Sequence, residues 1–128
     1  MAKYIAAIDQ STQDTHCVIF NRSGEMVSEH ALRHRQFHPE EGWLEHYPLE
    51  IWANTQVVIR TALEKAALKA KDIVAVGIAN KRETTIVWNK KTGKPYYNAI
   101  VWRDIRTADI CHQLAKDGGQ DRFRPQVG

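Results

Sequence analysis

The sequence predicts an α/β fold built on a mixed sheet, with elements in the order β-β-β-α-β-β-α. Three observations carry this. A meander of three strand-like runs opens the chain. A stretch of helical period follows Pro48, and short apolar runs resume at Ile73.

Tyr4-Ile5-Ala6-Ala7-Ile8 is a short apolar run suited to a buried strand. Asp9 to Asp14 is polar and turn-like, and Thr15 to Phe20 returns as a second strand. Asn21-Arg22-Ser23-Gly24 is a hairpin signal before a third strand, Met26 to Arg33. Residues 34–47, with Pro39, Gly42 and Trp43, read as a loop over the surface. Pro48 suits a first helical turn. Ile51, Trp52, Thr55, Val58, Ile59, Ala62, Leu63 and Ala66 then recur at helical spacing, the strongest periodic signal in the chain. Ile73 to Ile78 and Thr84 to Trp88 read as strands, and Lys90 to Pro95 as a tight turn. Asn98 to Trp102 is a further strand, and Asp104 to Lys116 a second helix. Gly118 to Gly128 has no clear pattern, and the absence of a closing element there suggests a fragment.

Composition is that of an ordinary globular domain: 128 residues, 43% hydrophobic and 26% charged. The net charge of +3 is spread along the chain and mixed with acids, so no block of charge would track a nucleic acid. No apolar stretch approaches membrane-spanning length, and Met1-Ala2-Lys3-Tyr4 runs straight into a strand pattern rather than a leader peptide. Cys17 and Cys111 form no disulfide framework, which points to a reducing, cytoplasmic setting. Unpaired sheet edges would favour self-association, so a homo-oligomer is among the expectations.

The segment Asn80-Lys81-Arg82-Glu83-Thr84-Thr85-Ile86 holds an adjacent Arg and Glu between two strand-like runs. A guanidinium is a fork of donors and a carboxylate a pure acceptor, a good pair for gripping a polyol. Trp102, at the end of another strand, is placed to cover the carbon face of the same ligand. The plain alternative is a solvated surface ion pair of little energetic value.

Several stretches together resemble the amino-terminal part of the FGGY carbohydrate kinase family, in its glycerol kinase branch. These are Ala7-Ile8-Asp9-Gln10, Gly42-Trp43-Leu44-Glu45-His46, Pro48-Leu49-Glu50-Ile51-Trp52, Arg82-Glu83-Thr84-Thr85, Thr92-Gly93-Lys94-Pro95 and Tyr97-Asn98-Ala99-Ile100-Val101-Trp102. The resemblance covers essentially the whole chain. It implies an actin-like, ribonuclease-H-like ATPase architecture, of which residues 1–128 would be the first part of the first domain, without the adenosine-binding domain. It implies phosphoryl transfer from ATP, with Mg²⁺, to glycerol. Arg82 and Glu83 would hydrogen-bond the triol, Trp102 would pack on its carbons, and Asp9 would sit by the metal and phosphates. Ser11, Thr12 and Gln13 would form the phosphate-facing hairpin, and the general base would lie beyond residue 128, leaving the isolated chain inactive. Another sugar or polyol kinase of the family, and a non-catalytic polyol-binding or regulatory module, stand as alternatives.

The first hairpin departs from the family pattern. Ser11 stands where Gly is expected, Gln13 and Asp14 replace small hydroxyl residues, and His16 replaces Arg. A serine at a positive-φ site would be strained. An Asp14 carboxylate facing polyphosphate at ~4 Å would cost roughly 1 kcal/mol in water and about 4 kcal/mol at intermediate dielectric, weakening ATP binding by about one to three decades. Lys81 and Arg103 replace the usual Gln and add positive charge near the polyol half.

Overall fold

The computed structural model describes residues 3–127. Met1 and Ala2, read as leaderless, and Gly128, part of the closing segment, lie outside the described residues.

The meander forms as the alternation predicts. Strand β1 (Tyr4–Gln10) pairs antiparallel with β2 (Asp14–Phe20), and β2 pairs antiparallel with β3 (Met26–Arg33). Both hairpin strands run further into the first turn than the sequence suggests. Only Ser11, Thr12 and Gln13 are left outside the ladder, because Gln10 pairs with Thr15. Helix α1 (Pro48–Lys65) starts with proline in its first turn, carries Glu50 near its positive end and Lys65 near its negative end. It lies on one face of β2 and β3. Ala6, Cys17, Ile19, Val58 and Ala62 make the core between them. Cys17 is buried and free, and burial pushes its thiol pKa up; Cys111 is free and exposed.

After α1 a 3₁₀ turn (Ala70–Asp72) leads into β5 (Ile73–Ala79), which joins the other side of β1 in parallel. The sheet order is β3-β2-β1-β5, a mixed sheet as expected. This parallel pairing fixes the site, because Asp9 is registered against Ala79. The segment after β5 therefore emerges beside the β1–β2 turn.

Several expectations change. Residues 34–47 are not wholly loop: Glu45–His46 is a short strand, β4, paired with Ala99–Ile100, β6. The expected strand Asn98–Trp102 contracts to those two residues. Thr84–Trp88 is not a ladder strand; it makes isolated bridges through Thr85 to Ile100 and Trp88 to Pro95. The ribbon is flanked by backbone bonds to non-ladder segments, Glu45 with Phe37 and Ile100 with Thr85. The second helix, α2 (Ala108–Ala115), begins later than Asp104. Asp104 is drawn away from a capping role, with Oδ2 accepting from the Leu44 amide at 2.7 Å and from Arg106 at 2.7 Å. The segment without pattern contains one further helical turn, α3 (Arg124–Val127).

Candidate functional site

The β1–β2 turn is organised by a side chain. The Ser11 hydroxyl accepts from the amides of Gln13 at 3.2 Å and Asp14 at 3.0 Å, and donates to Asp14 Oδ1 at 2.8 Å. Such local bonding is what serine does in turns. Ser11 is not among the residues of positive φ, so the strain expected of serine there does not arise. Asp14 turns its carboxylate to Ser11 and is not among the residues lining the cleft described below. His16 points elsewhere, pairing with Glu29 at 2.8 Å.

The turn after β5 carries the charged pair. Glu83 has φ 52°, one of two non-glycine residues in the left-handed region among the described residues. Such a conformation costs about 1–3 kcal/mol and concentrates at functional sites. Arg82 and Glu83 are exposed, and neither side chain has a hydrogen-bond or ion-pair partner among the described residues. They are therefore not a mutual surface ion pair. Their donors and acceptors are unspent.

Trp102 follows β6 and reaches across to the first hairpin, its indole N–H donating to Thr12 Oγ1 at 2.8 Å. The Thr12 hydroxyl keeps its own proton for another acceptor. Asp9, Ser11, Thr12, Arg82, Glu83 and Trp102 all line one cleft of about 630 Å³, a size suited to a small ligand with room to spare. Gln13 does not join them. It faces a neighbouring cleft of about 480 Å³, with Arg33, His38 and Arg103. Arg103 lines that second cleft, its guanidinium 5.9 Å from the centre of the Trp102 ring.

Two polar networks support the cleft, and neither has a local sequence signature. From the cleft wall, Lys81 Nζ reaches to 3.0 Å from Nδ1 of buried His46, whose Nε2 lies 2.8 Å from Gln36 Oε1. The Gln36 amide donates to the Thr12 and His34 carbonyls, both at 3.2 Å. Burial, with help from Lys81 and His34, pushes the His46 pKa down to about 4. Burial pushes Lys81 down to about 8, with Asp14 opposing. Behind Trp102, Arg106 donates to Glu45 Oε1 at 2.8 Å and Asp104 Oδ2 at 2.7 Å, with its guanidinium 3.7 Å from the centre of the Trp43 ring. Tyr97 and Asn98 complete the shell of Glu45. Burial alone would raise the Glu45 pKa, yet the bonds from Asn98, Arg106 and Tyr97 leave it lowered. The bonds from Arg106 hold Asp104 at about 2.

Among the described residues no cluster of three or more His, Cys, Asp or Glu could form a closed metal cage. Asp9, a carboxylate on the cleft wall, fits an ion such as Mg²⁺ that keeps water and phosphate ligands. No helix among the described residues is long and apolar enough to cross a membrane.

The sequence matches the N-terminal domain of the FGGY family of carbohydrate kinases over residues 4–128. The chain belongs to that family. Glycerol kinase of Chloroflexus aurantiacus is 62% identical over all 128 residues, and that of Roseiflexus sp. is 59% identical. In both cases the chain spans about a quarter of the relative's length (26%). The crystal structure of Plasmodium falciparum glycerol kinase with ADP superimposes with a TM-score of 0.80 at 34% identity, over 91% of this chain and 23% of that one. The ligand-bound xylulose kinase of Lactobacillus acidophilus, at 24% identity, gives a TM-score of 0.82 over 95% of this chain and 24% of that one, a likeness of fold. The mixed α/β, actin-like ATPase fold of the FGGY kinases is thus the fold of this chain.

Proposed function

We propose that this chain supplies the polyol clamp and the phosphate-facing hairpin of a cytoplasmic, ATP-dependent glycerol kinase, as the amino-terminal part of its first domain. One observation carries the reading: the unspent guanidinium of Arg82, the unspent carboxylate of Glu83 and the Trp102 indole line the same cavity as Asp9 and Thr12. The 62% identity to a glycerol kinase supports glycerol over other polyols.

The chemistry follows from the placement. Arg82 donates to hydroxyl oxygens, Glu83 accepts from hydroxyl hydrogens, and the indole covers the carbon backbone. Phosphoryl transfer asks mainly for positioning and for neutralisation of spreading charge. The left-handed turn at Glu83 and the Trp102–Thr12 bond hold the clamp at a fixed distance from the hairpin. The Thr12 hydroxyl, which keeps its own proton, donates toward a phosphate oxygen. Asp9 would hold Mg²⁺, which supplies charge neutralisation at the phosphates when bound. Other parts of the enzyme supply the general base and the adenosine site.

A coupled assay of the full-length protein tests this. Glycerol-dependent ADP formation is expected, with glycerol ranking first in a panel including xylulose and gluconate. No glycerol-dependent turnover, or a preferred pentulose, would overturn it. The alternative, a non-catalytic polyol-binding module, predicts glycerol binding with no ADP formed in the same assay.

A further inference from the structure

Lys81 lines the polyol cleft beside Arg82 and is half-buried. Its only hydrogen-bond partner among the described residues is His46 Nδ1. The direction of that bond is fixed by the groups behind it. The Gln36 amide nitrogen donates to two carbonyls, so Oε1 is what faces His46. An amide oxygen only accepts, so His46 Nε2 carries the imidazole proton and Nδ1 offers a lone pair. Lys81 therefore spends one of its three N–H groups on a neutral acceptor. No carboxylate lies within ion-pair distance of it among the described residues. A carboxylate partner would neutralise the ammonium; an imidazole lone pair orients it and leaves its charge intact.

We propose that Lys81 is a specificity-determining residue of the polyol cleft, its two remaining N–H groups donating to an oxygen of the bound polyhydroxy alcohol. The inference rests on the polyol-kinase reading above and extends it. A partly buried donor left without an acceptor is costly, and the cleft is where the open side of this one lies. The polyol rather than the nucleotide is the ligand addressed. Lys81 precedes the Arg82-Glu83 pair on the same turn, and its tether His46 belongs to the β4–β6 ribbon that leads into Trp102. The groups facing Lys81 are His46 on β4, His34 after β3, Asp14 on β2, and Asp9, Arg82 and Glu83 along the cleft.

The test uses the full-length protein, with calorimetric binding of glycerol in the absence of nucleotide and steady-state KM values for glycerol and ATP. Lys81→Met keeps the aliphatic stem and removes every donor. It should raise the Kd and KM for glycerol about tenfold, the worth of one charge-assisted hydrogen bond, and leave the KM for ATP within about twofold. Lys81→Gln should recover most of the loss, because an amide can still donate. As the wild type is taken from pH 7 to 9 and the ammonium loses its proton, the Kd for glycerol should rise by about threefold or more. In Lys81→Gln it should stay flat, and this comparison stands even if Lys81→Met does not fold. A Kd for glycerol unchanged in Lys81→Met, an effect confined to the KM for ATP, or the same pH dependence in Lys81→Gln would overturn the proposal. A wild type that binds glycerol without turning it over would defeat the kinase reading alone and leave the binding comparison to decide on Lys81.

Discussion

The Trp102 indole N–H and the Thr12 hydroxyl meet at 2.8 Å, 90 residues apart in the chain. This bond ties the segment that would cover a polyol to the hairpin that would face phosphate. Trp102→Phe keeps an aromatic cover and deletes the bond. A hydrogen bond of this kind is worth about 1 kcal/mol net, so KM for both glycerol and ATP should rise by about fivefold in the full-length enzyme. An effect on glycerol alone would mean that the ring, and not the link, is what matters.

Arg82 and Glu83 are exposed, and neither side chain has a hydrogen-bond or ion-pair partner among the described residues. Glu83→Ala should therefore lower kcat/KM for glycerol by about 10- to 100-fold, the worth of a charged hydrogen bond, with unfolding temperature unchanged. Glu83→Gly should lose the same activity and unfold at a higher temperature than Glu83→Ala, because φ 52° is free of cost to glycine alone. Thermal melts of the two variants side by side make the comparison.

Ser11→Gly, the change toward the family pattern, should weaken the hairpin rather than repair it. It deletes the bonds to the Gln13 and Asp14 amides and frees the Asp14 carboxylate. A loss of about 1 kcal/mol in denaturant unfolding is expected, with KM for ATP raised as Asp14 is released.

His46 makes stability fall in mild acid. Its folded pKa is about 4 against an ordinary 6.5, so the unfolded chain takes up the proton first as pH drops. The stabilisation is fully present above pH 6.5 and is lost as pH falls toward 4, by about 3 kcal/mol at most. Lys81 acts at the other end. Its folded pKa of about 8 lies below the ordinary 10.5, so the cost of holding its charge is relieved as pH rises from 8 to 10.5. Urea unfolding from pH 4 to 7 should show the first slope, and His46→Gln should flatten it.

Arg106→Met would leave Glu45 and Asp104 buried without their cation. Removing one partner of a buried ionic network costs about 3–5 kcal/mol, enough to threaten folding of the β4–β6 ribbon. Near-ultraviolet circular dichroism of Trp43, whose ring the guanidinium covers, should report the loss directly.

Local order was legible in the residues themselves. The alternation in Tyr4–Phe20 and the helical recurrence from Ile51 to Ala66 are short-range patterns, and each produced its element within a few positions. The residue types of Arg82, Glu83 and Trp102 likewise suggested a polyol clamp, and the three line one cleft. Tertiary structure decided what lay between them. Nothing near Ile73 says that β5 will run parallel to β1, yet that pairing alone sets Lys81–Glu83 beside Asp9–Thr12. Glu45–His46 has no period to read, because two residues cannot display one. The Ser11 bond to the Asp14 carboxylate likewise exists only in the folded turn. A sequence reports contacts three or four residues apart, whereas side-chain hydrogen bonds across 30 to 90 residues exist only once the chain has closed on itself.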